Sequence, residues 1–194
     1  MNEFITIIVA SILILSVFMY YEERFTELSY TKSTVDNKEY LVRNREDKQD
    51  AANLLANVGK RLNKLVKSLV IAMPDDKRIQ RLENRFKPEK ISETISNTNH
   101  TSYSVNKGEK IVFCIRTKDE KEELIDINTI LFVGIHELAH VMTESIGHTD
   151  EFWNNMKLLL RFAVKKKIYE YVDYNAQPVP YCGTTITDSP YRKE

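Results

Sequence analysis

The stretch His136-Glu137-Leu138-Ala139-His140, with Gly147-His148 following after a short gap, decides how this chain is read. On a helix, residues four apart lie one above the other, so His136 and His140 point the same way. Two imidazoles at that spacing can grip one Zn²⁺, with the intervening Glu137 beside the metal as general base. The chain has four histidines, and three of them fall within these thirteen residues.

The residues on either side support the helical reading. At about 100° per residue, Leu131, Ile135, Leu138, Met142 and Ile146 share an apolar face. Thr129, Val133, His136, His140 and Thr143 share the opposite one, with Glu137 at its border. Gly147 suits the left-handed residue that ends a helix and lets His148 return toward the metal. Thr149 reads as the N-cap of a second helix, with Asp150 and Glu151 in its first turn. Phe152, Trp153, Met156, Leu159, Leu160 and Ala163 form that helix's apolar stripe. His148 is the expected third ligand, with Glu144 and Glu151 as nearby carboxylate alternatives. The competing reading of the whole stretch is a surface helix carrying two solvated histidines.

The run H-E-L-A-H…G-H-T-D-E-F-W resembles the WLM and SprT-like zinc metallopeptidases, compact relatives of the metzincins. Within them it resembles membrane-anchored metallopeptidases of large DNA viruses. The resemblance extends from Lys107-Gly108 through Ile111–Arg116 to Tyr181-Cys182-Gly183, roughly the C-terminal half. It implies a zinc-dependent peptidase with metal ligands His136, His140 and His148 and catalytic base Glu137. The chain departs from the common pattern in two ways. Its gap between second and third histidines is longer than the usual five residues, and no methionine follows Met156.

With 194 residues, 42% hydrophobic and 29% charged, the chain suits one globular domain with an appendage. A formal net charge of +0 gives no bulk field favouring nucleic acid or an acidic partner. Cys114 and Cys182 form no C-x-x-C pattern, so reduced thiols are the simpler expectation, with a single disulfide as the alternative.

The seventeen residues from Phe4 to Tyr20 are almost wholly apolar and uncharged, and as a helix they would span about 26 Å. We expect a transmembrane anchor over residues 1–21. A cleaved signal peptide would want a basic start and small residues at its end, and a buried core helix is the third possibility. The excess of Lys and Arg after the run weakly favours a cytoplasmic catalytic domain, although Glu22 and Glu23 blur this. The sequon Asn99-His100-Thr101 is within chance and does not decide orientation.

Residues 22–46 read as a polar stalk, with a short strand near Tyr40-Leu41-Val42. From about Asp47, Leu54, Leu55, Val58, Leu62, Leu65, Val66 and Leu69 recur at helical spacing up to Pro74. A shorter helix carries Ile79, Leu82 and Phe86, and both should pack behind the metal-binding helix. The stretch from Lys60 to Lys90 is locally basic, either a solvated face or a contact for anionic lipid or nucleic acid. Tyr103–Val105 and Lys110–Arg116 flank the turn Asn106-Lys107-Gly108 as a hairpin. Ile111–Arg116 is either an edge strand above the metal, where a peptide would add to the sheet, or an internal strand. The acidic run Asp119–Glu123 reads as a surface loop. In the tail, a Cys182 thiolate capping the zinc and a packed loop are the alternatives. Tyr174 and Tyr181 are candidates to donate to an oxyanion.

The expectation is an α+β, zincin-like domain over residues 47–194, with a small sheet and an active-site helix. It would be a membrane-anchored zinc peptidase acting on proteins or peptides. The alternatives are a membrane-bound interaction protein with a structural zinc, and a DNA-associated protease of crosslinked proteins.

Overall fold

The computed structural model describes residues 2–25, 27–96 and 101–192. The sequon residues Asn99 and His100 lie outside them. The leucine period after Asp47 becomes α2 (Lys48–Ala72), whose Leu55, Val58, Leu62, Leu65, Val66 and Leu69 are all buried. Pro74 lies just beyond its C-terminus, where the chain leaves the helix. Asp76 accepts from the Arg78 N–H and caps α3 (Lys77–Arg85), which buries Ile79 and Leu82.

Among the described residues seven strands are formed: β1 (Leu28–Lys32), β2 (Glu39–Arg43), β3 (Ile91–Glu93), β4 (Tyr103–Val105), β5 (Lys110–Phe113), β6 (Val179–Tyr181) and β7 (Thr184–Ile186). The first five make one sheet in the order β1-β2-β3-β5-β4, and β6-β7 is a separate hairpin. The outer pairs β1-β2 and β4-β5 are antiparallel, while β2-β3 and β3-β5 are parallel. A parallel step needs a long crossover, and α2 with α3 supplies the one between β2 and β3. The inward residues Tyr40, Val42, Ile91, Ile111 and Phe113 belong to the same buried cluster as the α2 leucines.

Beside α2 runs α4 (Ile127–Met142), capped by Asp126, whose carboxylate accepts from the N–H groups of Asn128 and Thr129. It packs against α2, α3 and α5 (Asp150–Lys165) and buries residues all round its axis. Gly134 permits the close crossing with α2, since a Cβ there would lie 2.9 Å from Leu62 Cδ1. The helices therefore do pack behind α4.

A buried ion network joins β3, the end of β5 and the start of α2. The Arg116 guanidinium donates to Glu93 at 2.7 Å and bidentately to Asp47 at 2.6 and 2.8 Å. Glu93 also accepts from the Arg43 N–H at 2.7 Å. Arg116→Met would strand the Glu93 carboxylate inside the fold. It is expected to cost about 3–5 kcal/mol of unfolding free energy, read from urea denaturation. A loss under about 1 kcal/mol would show that Glu93 does not depend on that guanidinium.

Several expectations are corrected. Among the described residues no helix is long and apolar enough to cross a membrane, so a single-pass membrane protein is not supported. The helix α1 (Asn2–Phe25) contains an apolar run of only seventeen residues, Phe4–Tyr20. At about 1.5 Å per residue this falls short of a hydrocarbon core of roughly 30 Å. Much of the supposed stalk is sheet, because β1 and β2 pair from Leu28↔Arg43 to Lys32↔Glu39. Ile111–Arg116 does not form the edge: β5 is internal, flanked by β3 and β4, and β4 is the edge strand. Cys114 and Cys182 are joined in a disulfide rather than reduced, so Cys182 offers no thiolate to a metal.

Candidate metal centre

Helix α4 brings His136 and His140 onto one face, and their Nε2 atoms lie 3.2 Å apart. The helix stops at Met142, with the Thr143 N–H and hydroxyl both donating to the Ala139 carbonyl. The chain then runs without regular structure to Thr149, the N-cap of α5, whose hydroxyl accepts from the Phe152 N–H. Gly147 takes φ +86°, the left-handed region expected of it. This turn returns His148 Nε2 to 3.1 Å from His136 Nε2.

Among the described residues these three side chains form a group that could hold a metal ion, their ligand atoms all within 4.8 Å of one another. Nitrogen ligands at about 2.0–2.1 Å on tetrahedral zinc are roughly 3.3 Å apart, so the spacing fits one shared ion. Converging lone pairs repel unless a cation or a proton lies between them, which also favours a cation. Burial and the neighbouring imidazoles His140 and His148 pull the His136 pKa down to about 3. Burial, with His148 and Lys107, pulls that of His140 to about 4. Both rings are therefore neutral at pH 7, the form that binds a metal. Phe152 is fully buried and forms a common floor, with its ring centroid 4.9, 4.3 and 4.7 Å from those of His136, His140 and His148.

Glu137 is only 4% exposed. Burial raises its carboxyl to about 7, against the opposing pull of a hydrogen bond from the Ser104 backbone N–H. Ser104 lies on β4, so the exposed edge of the sheet runs beside this carboxylate. A cleft of about 430 Å³ is lined by Ser102–Ser104 of this edge, by the three histidines and Glu137, and by Ile146 of the connecting loop.

The alternative third ligands are accounted for elsewhere. Glu144 is not on the helix, which ends before it, and pairs with Arg81. Glu151 accepts from the N–H groups of Glu144 and Ser145 at 2.9 and 3.1 Å and from the Ser145 hydroxyl at 2.7 Å. Ile146, expected on the apolar back of α4, is 90% exposed at the cleft lip because the helix stops four residues earlier. Tyr174 is buried against Phe132 and hydrogen-bonded to Tyr169. Tyr181 comes nearer the cleft, but its single proton goes to the Cys114 carbonyl at 2.8 Å, and Ser102 sits 2.6 Å from its oxygen. Neither hydroxyl is free for an oxyanion. The residues that sequence reasoning missed here are Phe152 as floor, Ser104 as edge donor, and Lys107, which lines the same cleft.

The model of the WLM domain matches residues 33–177, three quarters of the sequence. The chain belongs to the WLM domain family. Over 194 aligned residues it is 31% identical to an uncharacterized protein of Acanthamoeba polyphaga mimivirus, covering 97% of this chain and 98% of that one. A second relative, an uncharacterized protein of Invertebrate iridescent virus 3, is 39% identical over 69 residues, or 36% of this chain and 42% of its own length. Both are proteins of large DNA viruses. Among solved structures the chain is similar to Wss1 from Saccharomyces cerevisiae, with TM-score 0.47, 22% identity, and coverage of 65% of this chain and 88% of that one. Membership in the WLM family supports a zinc metallopeptidase-like function.

Proposed function

We propose that this protein hydrolyses peptide bonds, with His136, His140 and His148 holding Zn²⁺ and Glu137 acting as general base. The observation that carries this reading is the convergence of three imidazole nitrogens beside one buried carboxylate in a cleft bounded by a sheet edge. Zinc supplies a Lewis acid that polarises a carbonyl and brings the pKa of a coordinated water to about 7. Glu137 takes the proton of the attacking water and passes it to the leaving amine as the C–N bond breaks. The edge strand β4 offers backbone groups to which an extended peptide adds as a further strand, passing Glu137. Phe152 keeps the underside of the site dry. The test is to incubate the protein with denatured protein mixtures and identify new peptide termini by mass spectrometry, wild type against Glu137→Gln.

A structural zinc in a non-catalytic interaction protein is the second reading. It would require a closed set of four ligands. Among the described residues no fourth His, Cys, Asp or Glu joins the three histidines, and Cys182 is taken by its disulfide. This favours the enzyme.

A stability prediction follows from Glu137. Its folded pKa is raised from 4.5 to about 7, so the folded state keeps a proton that the unfolded state has already released. Stability from the neutral carboxyl is complete below pH 4.5 and is lost as the pH rises through 7. Without metal, Glu137→Gln is expected to be about 2–3 kcal/mol more stable than wild type at pH 7.5. The gap should close toward pH 4.5. Urea unfolding of the metal-free proteins at both pH values checks this, and a pH-independent gap would reject the buried-carboxylate account.

A further inference from the structure

Seven residues separate His140 from His148, and beyond Met142, where α4 ends, no helix or strand holds them. A loop of that length would ordinarily leave an exposed third histidine free to swing. Here the backbone of residues 143–145 is gripped from two sides. From one side the Lys107 ammonium donates to the carbonyls of Thr143, Glu144 and Ser145 at 2.9, 2.6 and 3.0 Å, so each of its three protons has an acceptor. From the other, Glu151 accepts the N–H groups of Glu144 and Ser145 together with the Ser145 hydroxyl. One cation and one anion thus satisfy five backbone groups of a three-residue segment.

The placement of Lys107 is built rather than incidental. It sits in the turn after β4 at φ +52°, a region non-glycine residues rarely adopt. The next residue, Gly108, has φ +108° and lies so close to α4 that a Cβ would come within 2.9 Å of Val141. The turn is therefore pressed onto the metal-binding helix, and it carries the lysine to the loop beyond that helix's end. A strained residue held by surrounding packing, with all of its donors spent on one segment, points to a positional role.

We infer that Lys107 and Glu151 are positioning residues, which clamp segment 143–145 so that His148 is presented to a metal shared with His136 and His140. Lys107 also fastens this loop to the edge strand β4, so that the two walls of the cleft are held in one arrangement. The inference rests on the zinc-site reading and adds to it residues that touch neither metal nor reacting atoms. Supporting groups around ligands are worth about 10–100-fold in metal affinity.

The test uses the full chain and zinc alone, with the dissociation constant measured by chelator competition and the coordination reported by the visible spectrum of the Co²⁺-substituted protein. Lys107→Met and Glu151→Ala are each expected to weaken zinc about 10–100-fold. Each should also alter the Co²⁺ spectrum, while Lys107→Arg, which restores charge and donors, recovers part of the affinity. Wild-type affinity and spectrum in both Lys107→Met and Glu151→Ala would overturn the clamp. If Lys107→Met fails to fold, Glu151→Ala decides alone by the same criterion. Failure of the wild-type chain to bind zinc would instead overturn the metal-site reading beneath it.

Discussion

Glu137→Gln is expected to lower peptide hydrolysis by about 10²–10⁴-fold while zinc stays bound at the wild-type ratio. Glutamine keeps the shape of the side chain and its place in the buried site but cannot take a proton from water. The carboxyl lies between two of the proposed ligands in sequence, yet its oxygens are not part of the group that converges on a shared ion. Loss of activity and retention of metal therefore separate. The paired measurement is zinc content by atomic spectroscopy and the appearance of new peptide termini. A variant that still cleaves at the wild-type rate would remove Glu137 from the chemistry. A variant that loses its zinc would place the carboxylate in the metal's own shell.

His148→Ala is expected to weaken zinc by about 10²–10³-fold, with a matching loss of activity at limiting metal. The magnitude is roughly one ligand's share of the 10–16 kcal/mol found for structural zinc sites. His148 is exposed and held on a loop, so its removal opens no cavity in the core. The fold should survive, and the effect should read on metal retention rather than on unfolding. Zinc remaining after dialysis against a chelator measures it directly. Unchanged retention would reject His148 as a ligand. The neighbouring carboxylates are poor substitutes, because Glu144 pairs with Arg81 and Glu151 is spent on the loop backbone.

The helices were legible because their signals are local. The apolar period from Leu54 to Leu69, the cap Thr149 and the i, i+4 histidines each depend on a handful of adjacent residues. The hairpin around Asn106-Lys107-Gly108 was legible for the same reason, since a turn is made by its own residues. Of the two strands in the supposed stalk, β2 was legible at Tyr40-Leu41-Val42, but β1 was not. Leu28–Lys32 is short and largely polar, and it becomes a strand through its pairing with β2. Which strand lies at the edge followed from the pairing of β3 with β5, which leaves β4 outermost, and this moved the cleft wall from Ile111–Arg116 to Tyr103–Val105. The apolar run Phe4–Tyr20 misled because its uncharged composition was read as an anchor, whereas no described helix is long and apolar enough to cross a membrane.

By itself, the sequence singled out His136, His140, His148 and Glu137 as candidates, since spacing along one helix aims the first two imidazoles alike and a glycine turn lets the third return. Tertiary structure alone decided the partner of Cys114, the fate of the Tyr181 proton, the floor under the imidazoles and the grip of Lys107 on a loop more than thirty residues away. The physical reason is that these depend on which distant segments are brought into van der Waals and hydrogen-bond range. No periodicity in the chain encodes that range.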